Sequence, residues 1–373
     1  MTVTGVDHTP EVLTVRWQDG SVTRYHAIWL RDNARGDAFR HPGNDQRLFD
    51  LTDIPDGVAI AEARLQPAGV AVRFTPDDAS SVFESDFLRD YAYDGGSNTP
   101  SQPVWGAEHA DSLIRHDYAA VESDPAARKA WLDDIVANGI ALLRNVPTVE
   151  GKVCEVAEIF GYVRETNYGR LFEVRSEAQP INLAYTPVGL NVHTDNPYRS
   201  PVPGLQLLHC LTNAADGGES VFVDGFRCAA KLRQTAPDAF DLLTRFRAPF
   251  RYRDAGADLT NRTPCIEIDD KGRLIAVRYN NRSAAPLDLP FEVMAEYYDA
   301  LRLFAGMLHD PEGEMRLRLD PGDLVTFDNE RVLHGRTGFT GGARHLQGCY
   351  ADKDALRSMA AVLSRQSDQE SQG

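Results

Sequence analysis

Residues 204–225 read GLQLLHCLTNAADGGESVFVDG. Two apolar runs of strand length flank a stretch of Asn, Ala, Asp and Gly, which reads as a turn. The same kind of segment recurs outward in both directions: INLAYT (181–186), CIEID (265–269), RLIAVRYN (273–280), MRLRLD (315–320) and DLVTFD (323–328). Many short strands with turn punctuation argue a β-sandwich or barrel rather than a doubly wound sheet. Two helical insertions interrupt them, KLRQTAPDAFDLLTRF (231–246) and FEVMAEYYDALRLFAGML (291–308).

Further towards the N-terminus, ARKAWLDDIVANG (127–139) reads as a helix closed by Gly139, followed by the short strand IALLRNV. EVLTVRWQDGSVTRYHAIWL (11–30) reads as two alternating strands around Asp19-Gly20, a strong hairpin signal. This β-rich unit ends near residue 95, after the helix-like SSVFESDFLRDY (80–91), and GGSNTPSQPVW (95–105) is a turn- and proline-rich connector. The expected organisation is a small first domain over 1–95 and a larger domain over 105–365. The last segment, SRQSDQESQG (364–373), is polar and reads as frayed.

The totals bound what such a chain does. A length of 373 residues with 42% hydrophobic residues supplies a sizeable core. A formal charge of -16 without a basic block argues against nucleic acid or an anionic membrane as partner. The first residues lack the pattern of a signal peptide, and no apolar run reaches the length of about 18 residues that spans a bilayer, so a cytoplasmic location is expected. Five cysteines, with no CxxC, suit reduced buried thiols.

One constellation carries chemistry. NVHTDNPYRSP (191–201) places His193 and Asp195 two residues apart. From 10 histidines and 55 acidic residues such a pair is expected by chance, and His109 with Asp111 makes a second. Context separates them. His109 lies in a polar, helical or irregular stretch, whereas His193 follows extended sequence, where residues i and i+2 face the same way, and Pro197 ends the ladder. His334, beyond the apolar run DLVTFD, is the candidate third ligand. Two imidazoles and one carboxylate with open positions suit a non-haem Fe(II) centre, though zinc remains open on ligands alone. Arg344, ten residues later, is at a spacing from which an adjacent strand would deliver a carboxylate-binding guanidinium to the same cavity.

Together these stretches resemble a known family. NLAYTPVGLNVHTDNPYRSPVPGLQLLHCL (182–211), GGESVFVDGF (217–226), DPGDLVTFDNERVLHGRTGF (320–339) and RHLQGCYAD (344–352) are similar to the γ-butyrobetaine hydroxylase branch of the TauD/TfdA-type Fe(II)/2-oxoglutarate-dependent oxygenases, and WLRDN (29–33) matches that branch's first domain. The resemblance implies a double-stranded β-helix (jelly-roll) catalytic domain, mainly β with flanking helices. It implies Fe(II) on His193, Asp195 and His334, and 2-oxoglutarate on Arg344 and Asn182, with O2 as co-substrate, ascorbate as an in vitro reductant and a hydroxylase reaction. It also implies an aromatic cage for a trimethylammonium group at Tyr168, Phe172, Tyr185 and Tyr350, although on the residues alone these are equally core filling.

Two departures qualify it. Relatives carry zinc-binding cysteines after WLRDN, where this chain has Ala34, Gly36 and Phe39; its first cysteine is Cys154, so no zinc is expected, and the first domain is left to packing or homodimer contacts. At the acid end, Arg282 stands beside Asn281, with Asn196, Tyr198 and Arg199 in HTDNPYR. The substrate-binding set expected there is Asn196, Tyr198, Asn281 and Arg282. An extra guanidinium suits a phosphonate, pointing to 2-(trimethylammonio)ethylphosphonate with γ-butyrobetaine close behind. A non-enzymatic jelly-roll binder of methylated ammonium ligands and a taurine- or alkylsulfonate-type dioxygenase stay open as alternatives.

Overall fold

A computed structural model of the chain describes residues 2–94, 103–175 and 188–370. The INLAYT segment, with Asn182 and Tyr185, lies outside the described residues. The chain divides into two units, residues 1–100 and 101–373.

The first unit holds two antiparallel three-stranded sheets. One is formed by Val3–His8, Val12–Trp17 and Val22–His26, the other by Ala59–Gln66, Gly69–Thr75 and Ser80–Phe83. The hairpin at Asp19-Gly20 forms as its sequence demands: Gly20 takes φ 82, and the Asp19 carboxylate accepts from Ser21 N at 2.9 Å. Leu13, Val15, Trp17, Tyr25, Phe74 and Phe83 alternate inward and share one core. The segment 80–91 is not helical throughout. Ser80–Phe83 alternates buried and exposed residues and pairs as a strand, and the helix begins only at Ser85.

In the second unit a six-stranded sheet faces a four-stranded one. The larger runs Arg115–Asp117, Ile140–Arg144, Leu324–Asp328, Leu205–Asn213, Arg344–Ala351, Phe172–Arg175 in spatial order. The smaller runs Leu190–His193, Val332–Arg336, Ser220–Asp224, Met315–Leu317. All pairings in both sheets are antiparallel except the first two strands of the larger. Period-two alternation explains the layering. Leu142, Leu208, Val325 and Leu346 meet Phe222 and Val332 of the smaller sheet in one apolar cluster, while Leu143, Leu207, Leu324 and Cys349 point the other way, under helices Pro125–Asn138, Lys152–Glu158 and Lys353–Glu370. On the outer side of the smaller sheet, Val221 and Val223 pack with helices Gly225–Thr235, Pro237–Arg245 and Phe291–Leu308.

The helix expected over 231–246 is two helices, broken at Ala236 because Pro237 pushes the residue before it out of helical geometry. Residues 364–370 are not frayed: helix Lys353–Glu370 includes them, anchored by Leu356, Ala360 and Leu363.

Helix Pro125–Asn138 shows how tightly the layers are tied. Asp124 caps it, and Gly139 ends it at φ 74, where a Cβ would lie 2.8 Å from Arg331 Cδ. Arg331 is 2% exposed and pairs with the wholly buried Asp224 at 2.9 Å, donating also to the carbonyls of Ala137 and Pro103. Removing one partner strands the other charge in the core. Arg331→Leu should therefore lose about 3–5 kcal/mol of stability; urea melts within about 1 kcal/mol of wild type would refute it.

Candidate active site

His193 is the last residue of strand Leu190–His193, and its register partner is His334, within strand Val332–Arg336. Cross-strand partners sit side by side, and the two rings are 4.5 Å apart between centroids. His334 thus lies beyond the end of strand Leu324–Asp328, as its sequence suggested, and inside the next strand, which follows the turn Asn329-Glu330. Asp195 lies past its strand end, so strand alternation does not place it. The segment bends there, with Asn196 at φ 55, a conformation that Asn tolerates better than most residues.

The backbone of Asp195 is held by the side chain of Asn329, which is wholly buried. Asn329 Oδ1 accepts from Asp195 N at 2.7 Å, and its Nδ2 donates to the carbonyls of Asp195 and Pro203, each at 2.9 Å. Charge pairs lock the turn that carries Asn329. Lys353 Nζ lies 3.2 Å from Asp328 and 2.7 Å from Glu330, and Arg278 binds Glu330 at 2.6 Å.

His193, Asp195 and His334 each bring a ligand atom within 4.8 Å of the other two. His193 Nδ1 lies 2.9 Å from the Asn191 carbonyl, which assigns the proton to Nδ1 and leaves Nε2 free, 3.3 Å from Asp195 Oδ1. His334 Nε2 is 3.8 Å from Asp195 Oδ2. Burial, with the His193 ring beside it, pushes His334 down to about 3, so its imidazole is neutral at physiological pH. Burial opposes the charge on Asp195, yet the two imidazoles and the Tyr350 hydroxyl together hold its carboxyl well below the usual carboxylate range. Two neutral imidazoles and one ionised carboxylate are the donor set that Fe(II) takes in a facial triad.

These residues open on a cavity of about 470 Å³. Its floor includes Arg344, which comes from the opposite sheet, not from a strand adjacent to His334. Strand alternation aims Arg344, Leu346 and Tyr350 inward together. Arg344 is buried, and its Nε and Nη1 find no hydrogen-bond partner among the described residues. Burial lowers the affinity of its guanidinium for its proton. An orphaned buried fork of this kind fits the carboxylate of 2-oxoglutarate. Arg336, two residues after His334, also lines the cavity; burial and the Arg344 charge bring it down to about 10, still cationic at neutral pH.

The aromatic wall holds the three assigned rings that lie among the described residues, and one more. Tyr168, Phe172 and Tyr350 line the cavity, Phe172 and Tyr350 at 5.0 Å between rings. Gly348 makes that contact possible: a Cβ there would come within 2.4 Å of the Phe172 ring. Tyr252 joins the wall, stacked on Tyr198 at 5.2 Å and 5.8 Å from Tyr168. Its only sequence cue, alternation in FRYR on the Arg247–Arg253 strand, did not distinguish it from core. The Tyr198 hydroxyl donates to Asn196 Oδ1 at 2.5 Å and lies 3.2 Å from the Tyr168 hydroxyl, so the expected ammonium and acid ends meet here. Asn196 Nδ2 is left without a partner at the wall among the described residues. Arg282 lines the cavity; Asn281 does not, being exposed, and its neighbour Asn280 takes that place, tied to the Thr194 carbonyl at 2.9 Å. Asn280, Arg282 and Ser283 of that turn line the cavity, and Asn281 between them does not, which the sequence did not resolve. His109 lies in the short helix His109–Ser112 and is not part of the cluster.

Asn329, like Tyr252 and Asn280, is a residue that sequence reasoning missed, since an Asn between Asp and Glu reads as an ordinary turn. Asn329→Ala should weaken Mn(II) or Co(II) binding by about 10–100-fold, the usual cost of losing support behind a metal ligand. Titration of the folded variant with unchanged affinity would rule this out.

Comparison with known proteins agrees with this geometry. The profile described as "Taurine catabolism dioxygenase TauD, TfdA family" matches residues 97–350, and "Gamma-butyrobetaine hydroxylase-like, N-terminal" matches residues 5–89. The chain is 38% identical to a gamma-butyrobetaine dioxygenase of Pseudomonas sp. (strain AK-1), over 95% of this chain and 94% of that protein. It is 29% identical to the gamma-butyrobetaine dioxygenase of Homo sapiens, over 94% of each chain. It is 31% identical to the mitochondrial trimethyllysine dioxygenase of Bos taurus, over 93% of this chain and 84% of that one. The chain belongs to the TauD/TfdA family, in its γ-butyrobetaine hydroxylase-like branch, and is an Fe(II)/2-oxoglutarate-dependent oxygenase.

Proposed function

We propose that the protein hydroxylates a small trimethylammonium-bearing acid, with 2-(trimethylammonio)ethylphosphonate as its substrate. The observation that carries the proposal is the division of one cavity into an aromatic wall and an arginine-bearing rim. A quaternary ammonium donates no hydrogen bond and is held by ring faces, each contributing roughly 0.5–2 kcal/mol. Phe172, Tyr350, Tyr168 and Tyr252 offer such faces. Tyr185, assigned to the cage from sequence, lies outside the described residues.

At the rim, Arg282 and Arg253 line the cavity without an ion pair among the described residues, whereas Arg251 beside them is bound by Asp258 at 2.8 and 2.6 Å. With Asn196 Nδ2 they give the acid group two guanidiniums and a neutral donor, which suits a phosphonate's charge and three acceptor oxygens. The relative at 38% identity named for γ-butyrobetaine supports a carboxylate substrate as the second reading.

Within the site, His193, Asp195 and His334 would hold Fe(II), and Arg344, with Asn182, would anchor 2-oxoglutarate. When bound, iron with 2-oxoglutarate and O2 supplies the oxidation, and ascorbate serves as reductant in vitro. The protein's own contribution is aim. Gripping a short zwitterion at both ends leaves one C–H bond facing the ligand triad, which is catalysis by positioning.

The same reading describes a cytoplasmic homodimer whose first domain needs no zinc, consistent with all five cysteines lying at Cys154 or later, free and buried. A monomer mass by light scattering, or zinc in the purified protein, would count against it.

The test is succinate formation with Fe(II), ascorbate and 2-oxoglutarate, comparing the two substrates at equal concentration. Tight coupling to the phosphonate is expected, and Arg282→Ala should raise its KM about 10–100-fold, the value of a lost charge-assisted contact. A preference for γ-butyrobetaine untouched by that substitution would select the carboxylate. Gly348→Ala should displace Phe172 and weaken binding of either substrate by roughly the share of one ring face; unchanged affinity would remove Phe172 from the cage.

A further inference from the structure

Tyr350 is used twice. Its ring belongs to the aromatic wall, while its buried hydroxyl donates to Asp195 Oδ2 at 2.8 Å. No other acceptor for that hydroxyl is present among the described residues. The two carboxylate oxygens of Asp195 therefore have different surroundings. Oδ1 lies 3.3 Å from His193 Nε2; Oδ2 accepts the tyrosine proton and lies 3.8 Å from His334 Nε2.

A carboxylate binds a metal through one oxygen or through both. The difference matters here more than in a closed site. Six-coordinate iron with two imidazoles and one carboxylate oxygen has three positions left. If Asp195 chelates with both oxygens, two are left, and the two-oxygen grip of 2-oxoglutarate alone would fill them.

We propose that the Tyr350 hydroxyl is a positioning group that keeps Asp195 a one-oxygen ligand, by engaging Oδ2 so that only Oδ1 turns to the metal. The inference rests on reading the triad as the Fe(II)/2-oxoglutarate centre. It gives Tyr350 a role separable from its ring, because Tyr350→Phe keeps the packing against Phe172 and removes only the hydrogen bond. It also joins the two halves of the cavity on one side chain: the ring that a cation would touch is rigidly attached to the group that orients the carboxylate.

The experiment uses the full chain, stripped of metal and loaded with Co(II), whose visible absorption reports coordination. Wild type, Tyr350→Phe and Asp195→Ala are titrated with Co(II) and then with 2-oxoglutarate, and the affinity of the loaded protein for a trimethylammonium acid is measured by calorimetry. Tyr350→Phe is expected to bind Co(II) with an altered spectrum and to bind 2-oxoglutarate about tenfold more weakly, as Asp195 competes for its position. Affinity for the ammonium ligand should stay within about threefold of wild type, since the ring face is kept. A spectrum and a 2-oxoglutarate affinity identical to wild type would overturn the proposal. So would a loss of Co(II) affinity with 2-oxoglutarate affinity intact, which makes the hydroxyl a simple support. Failure of the underlying reading looks different: wild type and Asp195→Ala would then take up Co(II) equally, or not at all.

Discussion

The register between two short strands governs this site. His193 and His334 are partners across an antiparallel pair, so a one-residue slip would turn one imidazole to the opposite face and dissolve the ligand pair. The register is fixed from both sides. Strand Val332–Arg336 pairs with Ser220–Asp224 as well, with His334 opposite Phe222, and Phe222 is buried between the sheets. Gly335 lets the strands approach, since a Cβ there would come 2.5 Å from the Leu190 carbonyl oxygen. The metal-binding geometry is thus a by-product of core packing, and a change that loosens the core beneath Phe222 acts on the imidazoles without touching them.

Asp195 has no such strand to hold it, and the protein compensates with hydrogen bonds from two directions. Asn329 fixes its backbone and Tyr350 its side chain. Both supporting groups come from the larger sheet's side, Tyr350 from the strand that also delivers Arg344, and Asn329 from the turn that follows Leu324–Asp328. The smaller sheet supplies the imidazoles; the larger one supplies what orients the carboxylate and what would bind the co-substrate. Closing the two sheets on each other is therefore what completes the site, and the apolar cluster between them has a functional as well as a stabilising part.

How much of this was legible in the sequence follows from the range of each interaction. Strand and helix positions were readable from local periodicity, as with Phe291–Leu308, and the triad from residue type and context. Range was the obstacle elsewhere. Asn329 acts on a residue 134 positions away, and Tyr350 on one 155 positions away. Asn281 and Asn280 are equivalent on paper, and only the course of the turn decides which faces the cavity. Tyr252 sits in an exposed-looking, arginine-rich hairpin and becomes part of the wall because Tyr168 and Tyr198 fold against it. The resemblance to a family supplied Phe172 and Tyr350, which periodicity did not, but neither supplied Asn329 or Tyr252.

The charge of the molecule looks at first opposed to its chemistry. A chain with a formal charge of -16 would repel 2-oxoglutarate and an anionic substrate if its charge were spread evenly. Screening limits that repulsion to about 8 Å at physiological salt, so what an anion meets inside the cavity is decided by the groups lining it. There the balance reverses: Arg344, Arg336, Arg282 and Arg253 line it, against the carboxylates Asp195 and Glu173. Glu173 is occupied by Gln347 at 2.9 Å and by His345, and Asp195 by the triad and Tyr350. The acidic surface and the cationic cavity therefore do not conflict. The buried fork of Arg344 has no counter-ion within hydrogen-bond reach among the described residues, so an incoming carboxylate would relieve its desolvation.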